Sequence, residues 1–501
     1  MTFVQNFPFF TIVLSLLSSV IAFAFRGKKA RFVTYALLSV CFAFSVSVIL
    51  YNLFGDSSYF VYRMGHYDAP IGNEIAAGLL EPVILGLFEF VILCAIIGGS
   101  RHIFRDIDEK KQKYFYVMVN LLHAALSALC YTNDIFTAYV FVEICTISSC
   151  AILMVREEGR SLVAATRYMI FSLIGSGMFL IGVILLYAIT GHLLFPQLYS
   201  TVQELSQSSE YAIPLSISVG LMTVGLCIKS GLFPFHFWMP DTYGTATPAA
   251  SGILSGVVSK GYIFLLLKVI FRVVGWETFL SLRINVLLYV FGLTGMIFGS
   301  ILAIRSKNIN FMVAYSSAAQ IGYIYMGIGL GTTAGLIASL FQIFAHALAK
   351  PLLFLSIARL EDAAGGSQAI TDLRGTAKQD KVAGIGFLAG ALSIIGIPLF
   401  AGFIPKLSFS IAALEQGPLM FVTLIVLAVS TVLNVVYFLR TVLVIFSSQQ
   451  SSGEKVTARR FKGAATIAIF VMILTNILVG IGSQPIEDVL RKGIEIFISM
   501  R

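Results

Sequence analysis

The chain has 501 residues, of which 58% are hydrophobic and 12% charged, with a formal net charge of +9. Soluble domains carry about 25% charged residues, so the composition excludes a soluble globular protein and points to a polytopic membrane protein. Nucleic acid is excluded as a partner too, because the positive charge gathers in short alternate loops, where it reports membrane topology.

Stretches of about 18–25 apolar residues suit single membrane spans. In chain order they fall near 8–25, 32–54, 80–99, 114–131, 134–154, 163–190, 212–232, 247–271, 283–304, 311–330, 333–357, 382–414, 418–446 and 463–483, fourteen in all. The opening MTFVQNF lacks the basic region of a signal peptide, and the first basic cluster, RGKKAR, follows the apolar run. A retained first helix with its N-terminus outside the cytoplasm is expected. The longer hydrophilic stretches, near 101–113, 193–211, 360–381 and 447–463, suit loops or short surface helices within one integral unit spanning 1–501.

Lysine and arginine alternate with these spans. One set of loops holds Arg26, Lys28, Lys29 and Arg31; Arg101, Arg105, Lys110, Lys111 and Lys113; Arg156 and Arg160; Arg305 and Lys307; Arg359, Arg374, Lys378 and Lys381; and Lys455, Arg459, Arg460 and Lys462. The opposite loops hold little beyond Arg63, Arg272 and Arg283. The positive-inside rule then places both termini outside, in a prokaryotic cytoplasmic membrane. The tail, PIEDVLRKGIEIFISM, reads as an amphipathic helix on the outer surface.

Against this apolar background four ionisable residues stand out: Glu143, Lys229, Lys260 and Lys406. A charge at the bilayer centre costs at least ~2.5–3.5 kcal/mol, so such residues face a protein interior or a wet cavity and mark ion pathways. Lys260 lies mid-span in ASGILSGVVSKGYIFLLL and is read as the titrating group of its helix. Lys229 and Lys406 lie in GLCIKSGLFPFHFWMPD and LSIIGIPLFAGFIPKLSF, where Gly and Pro interrupt the seventh and twelfth spans. Paired interruptions of this kind point to a transporter's ion site. Glu143 and Lys229 are expected to form an intramembrane ion pair whose opening releases a proton from the lysine. Lys350 is a further relay candidate or a snorkelling lysine, while Glu89 and Arg167 read as interfacial or subunit-contact charges. Cys41, Cys94, Cys130, Cys145, Cys150 and Cys227 form no cluster-binding run. GIGLGTTAG at 327–335 lacks the lysine of a phosphate loop. No cofactor is expected in this chain.

The runs KSGLFPFHFWMPDTYGTATPAASGILSGVVSKGY, NINFMVAYSSAAQIGYI, AHALAKPLLFL and GIPLFAGFIPK occur in that order. Together they resemble the antiporter-like membrane subunit family shared by respiratory complex I, Mrp-type cation/proton antiporters and membrane-bound energy-converting hydrogenases. The resemblance covers about 115–415. It implies an all-α fold of about fourteen transmembrane helices with two inverted five-helix repeats, 114–271 and 283–446. Each repeat carries a broken helix, the seventh and the twelfth. Residues 1–113 form peripheral N-terminal helices, and 463–501 the last helix and tail. It further implies that Glu143, Lys229, Lys260, His346 and Lys406 carry the ion, with His236 and Lys350 as accessories. Tyr243, Asn308 and Asn310 depart from the family pattern, which often has a histidine, an aspartate and a lysine there.

The function implied is a proton-translocating subunit of a multi-subunit membrane-bound oxidoreductase of the hydrogenase or complex I type. Its partners would be other membrane subunits, peripheral redox subunits and lipids. Lysine and histidine carry protons rather than sodium, which favours H⁺ in this chain, with Na⁺ left to a partner. Two alternatives stand beside it: a subunit of an Mrp-type Na⁺/H⁺ antiporter, and a non-conducting membrane anchor.

Overall fold

The computed structural model describes residues 3–55, 59–67, 72–415, 417–448 and 463–500. The elements run α1 (Phe7–Ala24), α2 (Gly27–Phe54), β1 (Phe60–Arg63), β2 (Glu74–Ala77), α3 (Leu80–Asp106), α4 (Gln112–Tyr131), α5 (Ile135–Met154), α6 (Gly159–Thr190) and α7 (Phe195–Ser206). They continue as α8 (Ala212–Ser230), α9 (Met239–Thr245), α10 (Pro248–Ile253), α11 (Ser259–Val269), α12 (Trp276–Ser281), α13 (Ile284–Arg305), α14 (Ile309–Gly329) and α15 (Thr333–Ala363). The last are α16 (Thr376–Gln379), α17 (Lys381–Ile395), α18 (Phe403–Leu414), α19 (Met420–Phe446), α20 (Ala464–Ile481) and α21 (Ser483–Ser499).

Twelve of the described helical runs are long and apolar enough to cross a membrane. The helix α14 falls where the tenth span is expected, and the shorter apolar α17 and α18 together fill the place of the twelfth. Side-chain caps set several starts: Asp134, Asn308, Thr332 and Asp380 each accept a backbone N–H of the helix they open. Asn308 thus works as a cap, while Asn310 donates to Glu361 Oε1 at 2.5 Å. The β1–β2 hairpin, which pairs Phe60 with Ala77 and Arg63 with Glu74, is a finding. Its strands are too short to show a periodicity. The stretch 449–462, with Lys455, Arg459, Arg460 and Lys462, lies outside the described residues.

Contacts between loops gather the basic segments at one end. Lys111 pairs with Glu157, Arg105 with Asp362 at 2.5 Å, and Arg156 donates to the carbonyl of Thr245. The hairpin, the start of α5 and α7 share the opposite end, tied by bridges from Ile75 to Thr132 and from Asp134 to Leu194. Arg272, expected in a loop at that end, is instead buried inside the bundle. The tail helix α21 does more than lie on a surface. It buries Leu490, Ile494 and Phe497, and Phe497 rests against Phe264 and Phe271.

Between lipid-embedded helices the hydrophobic effect offers little, so close backbone approach at small residues holds the bundle together. Along α13 and α14, a Cβ added at Gly322 would lie 2.7 Å from both the Gly292 carbonyl oxygen and the Met296 nitrogen. Between α6 and α8, a Cβ at Gly225 would lie 2.5 Å from the Gly175 carbonyl oxygen. Overpacking such a site costs ~1–3 kcal/mol. Gly322→Ala is therefore expected to lower the thermal midpoint of the purified protein, and an unchanged midpoint would show that α13 and α14 are not held by this contact.

Candidate ion-translocation site

Two helices break inside the membrane, and both breaks are built alike. α8 ends at Gly231 (φ +78°), where the amides of Gly231 and Leu232 both return to the Cys227 carbonyl. α17 ends at Gly396 (φ +86°), where the amides of Gly396 and Ile397 both return to the Leu392 carbonyl. This double return is a Schellman stop, and glycine supplies its left-handed residue without a Cβ clash. Irregular backbone survives at membrane depth only when protein satisfies it. Trp238 Nε1 donates to the Ile228 carbonyl at 3.3 Å, and Lys406 Nζ to the Ile395 carbonyl at 2.6 Å. The buried Asn476 of α20 accepts the Ala401 amide through both its backbone and side-chain oxygens.

Lys229 occupies the last turn of α8 and is buried rather than snorkelling. Its ammonium donates to Thr146 Oγ1 of α5 at 2.5 Å and lies 5.7 Å from the centre of the Tyr262 ring. The expected Glu143–Lys229 ion pair is not formed: among the described residues the two make no charged contact within 4.0 Å. The reason is local. Thr146 stands one turn along α5 from Glu143, on the same face, and captures the ammonium. Glu143 itself is half-buried.

Lys260 is fully buried. It follows a wide π-turn, Leu254–Val258, packed at Gly256 against Pro351 and Ala347 of α15. Wide turns of this kind often mark functional sites. The carbonyl of Ser255, within that turn, accepts the Lys260 ammonium, and Ser259 Oγ accepts it at 3.1 Å. Across the interface His346 is fully buried and, among the described residues, neither ring nitrogen has a hydrogen-bond partner. One turn on, Lys350 donates to the Val313 carbonyl at 2.7 Å and to Ser316 Oγ at 2.5 Å. It is an interior lysine, not a snorkelling one.

From there a polar seam of α14, α15 and α19 leads to the second break. Gln342 Nε2 donates to Gln320 Oε1 at 2.6 Å, Tyr323 OH donates to Ser430 Oγ at 3.0 Å, and Tyr437 OH donates to Asn434 Oδ1 at 2.8 Å. The half-buried Lys406 closes the line, its ammonium 5.2 Å from the Tyr323 ring centre. Tyr262, beside Lys229, faces Thr146 and Tyr168, so buried hydroxyls surround the Lys229 end. His236 is buried but stands apart in the turn Phe235–Trp238, stacked between Phe233 and Phe237.

Sequence reasoning missed several members of this line: Thr146, Tyr262, Ser316, Gln320, Tyr323 and Gln342. The two glutamines were findable, as uncharged polar residues within apolar spans. It also took Lys260 as the titrating group of its helix, yet Lys268 and Arg272 lie in the same run Pro248–Val274 and are buried. Glu89, read as interfacial, is fully buried on α3 and hydrogen-bonded to His123. Arg167 is exposed and pairs with Asp241.

The family described as "NADH:quinone oxidoreductase/Mrp antiporter, TM" matches residues 132–433. The chain is 33% identical over 381 residues to the N subunit of an NADH-quinone oxidoreductase of Desulforudis audaxviator, covering 76% of this chain and 74% of the relative. It is 26% identical over 498 residues to a Na⁺/H⁺ antiporter subunit of Bacillus subtilis, covering 99% and 98%. A chain in the structure of the Mrp complex from Dietzia sp. superposes with a TM-score of 0.87 at 22% identity, over 99% of this chain and 98% of that one.

Leaving a buried ammonium without its acceptor costs ~1–3 kcal/mol or more. Thr146→Val is expected to lower the unfolding midpoint in detergent, and Thr146→Ser to restore it. Equal midpoints for the valine variant and the parent would show that Lys229 does not depend on this hydroxyl.

Proposed function

The chain belongs to the NADH:quinone oxidoreductase/Mrp antiporter family of membrane subunits, and on that premise we propose that it translocates protons within a multi-subunit, redox-driven membrane complex. The carrying observation is the fully buried Lys260, held by Ser255 and Ser259 beside His346 and Lys350. Nothing about packing requires three ionisable side chains in an apolar core. A proton crossing the membrane does require titratable groups there.

The line Glu143, Lys229, Lys260, His346, Lys350 and Lys406 acts as the relay. Its four inner members are buried, whereas Glu143 and Lys406 at the ends are half-buried. Both ends reach the perimeter, where neighbouring membrane subunits continue the pathway. The switch is the Lys229 ammonium, which moves between Thr146 and Glu143, one turn apart on α5. Bound to Glu143 it stays protonated; resting on the neutral hydroxyl it gives up its proton more readily. Lysine suits this role because its charge is negotiable, whereas arginine's is not. His236 and the turn that carries it form the rim of the first break. The chain supplies no cofactor to this chemistry, and the redox centres belong to peripheral partners.

With the basic loops in the cytoplasm, both termini lie on the outer side of a prokaryotic cytoplasmic membrane. A second reading, a subunit of an Mrp-type Na⁺/H⁺ antiporter, draws on the end-to-end match with the Bacillus subtilis antiporter subunit. Mass spectrometry of the native complex separates the two by its partners: iron–sulfur or hydrogenase subunits in one case, small antiporter subunits in the other.

Lys260→Met is expected to assemble and to abolish proton uptake by vesicles containing the whole complex. Lys260→Arg should fail as well, because arginine holds its proton. Parental uptake by the methionine variant would leave the chain a membrane anchor. At the switch, Glu143→Ala should stop coupling with assembly intact and Glu143→Asp should retain part of it; full coupling by the alanine variant would remove Glu143 from the relay.

A further inference from the structure

The N-terminal helices hold a second set of buried polar groups, away from the line just described and before residue 132, where the family match begins. Its centre is Glu89 on α3 and His123 on α4, both fully buried. His123 Nε2 lies 3.2 Å from Glu89 Oε1, and its Nδ1 lies 2.8 Å from Ser15 Oγ of α1. The titratable groups facing the pair are Cys41 of α2 and Cys130 and Tyr131 of α4. The carboxylate of Glu89 also faces the buried hydroxyl of Ser45 on α2.

The pair sits in the middle of a stripe. Tyr116, Asn120, His123, Ser127 and Tyr131 follow one another on α4 at intervals of four, three, four and four, which keeps them on one helix face. All five are buried. At 1.5 Å per residue the stripe runs ~22 Å, most of a ~30 Å hydrocarbon core. Among the described residues Asn120 leaves both its amide nitrogen and oxygen unpartnered, and Tyr116 its hydroxyl. A buried asparagine with no partner at either end is rare in folded proteins and signals ordered internal water.

Both ends of the stripe lead outward. At the basic end Tyr116 abuts Phe104, which lines an open cavity of about 940 Å³ together with Gly27, Ile107 and Gln112. At the hairpin end Lys268 donates to the carbonyls of Cys130 and Thr132, at 2.7 and 2.6 Å. Beside it Arg272 donates to Asn133, Asn133 to Glu74, and Arg63, whose side chain is 54% exposed, to Glu74.

We propose that Glu89 and His123 form a second proton-binding centre, set midway in a hydrated column that runs along α4 from the basic end to Lys268 and the β-hairpin. One proton is held between the carboxylate and the imidazole. It arrives through water at Tyr116 and Asn120 and leaves by water toward the Lys268 amine, and no other bond changes. The cluster could also be asked to hold a soft divalent metal, since ligand atoms of Cys41, Glu89 and His123 lie within 4.8 Å of one another. Both imidazole nitrogens already have hydrogen-bond partners, and the polar groups extend along the helix in both directions instead of closing around a point. That pattern suits a conducted proton better than a fixed ion.

The proposal rests on the proton-translocating reading for its physiological meaning, but its test does not. In the whole complex, Asn120→Cys is expected to react with a small, water-soluble thiosulfonate reagent, well above the background from the six native cysteines. Difference infrared spectra should show a carboxyl band that shifts in D₂O and is lost in Glu89→Gln. In vesicles Glu89→Gln and Asn120→Leu should lose most proton transport, while Glu89→Asp recovers it. Lys260→Met serves as the control: parental transport by that variant overturns the general reading and leaves the thiol and infrared results to decide the column. An unreactive Asn120→Cys, or parental transport in both Glu89→Gln and Asn120→Leu, overturns the column even where Lys260→Met is inactive. Stoichiometric zinc in the purified complex, lost on Cys41→Ser, would overturn it in favour of a metal site. If Glu89→Gln does not assemble, Asn120→Leu and the thiol reaction decide alone.

Discussion

A buried ammonium in hydrocarbon must find an oxygen inside the protein, and the architecture follows from meeting that demand several times over. Each interior lysine is met differently. Lys229 takes a threonine hydroxyl from a neighbouring helix, and Lys260 takes a carbonyl in a wide helical turn. Lys350 takes a carbonyl and a serine of α14, and Lys406 takes a carbonyl where α17 stops. For Lys260 and Lys406 the acceptor is a carbonyl where the helix widens or stops, because most carbonyls of a regular α-helix are taken by its own amides. Each acceptor is neutral, so each lysine is solvated without being locked into an ion pair.

That choice separates tenants from conductors. The bidentate Arg359–Asp380 pair, at 2.7 and 2.9 Å, ties α15 to the start of α17. The hydrogen bonds of Lys229, Lys260, Lys350 and Lys406 all go to neutral oxygens. Among the described residues the imidazole of His346 has no hydrogen-bond partner.

Close packing and hydration divide the bundle between them. Glycine contacts bring α13 close against α14 and α6 close against α8. The polar seams run instead along α4, α5, α11, α14 and α15, where small hydroxyls and amides replace glycine. The same chain thus builds some helix interfaces from glycine and others from polar side chains.

Much of this was legible in the residues. Hydrocarbon thickness dictates span length, so spans showed as apolar runs, and the glycine–proline interruptions announced both breaks. Glu143, Lys229, Lys260 and Lys406 stood out because a charge is rare in such runs. What the sequence could not supply was pairing across helices. Thr146 rather than Glu143 receives Lys229 because the two lie one turn apart on the same face, and a one-turn choice is invisible in a linear string. Glu89 read as an interfacial charge, and His123, 34 residues away, gave no signal until α3 and α4 brought the two to 3.2 Å. Arg272 looked like a loop residue because it ends an apolar run, yet the hairpin and α21 close over it. Local chemistry along the chain determined the helices and their breaks; only the tertiary packing decided which polar groups meet, because a buried group's partner is set by distance in space and not by position in sequence.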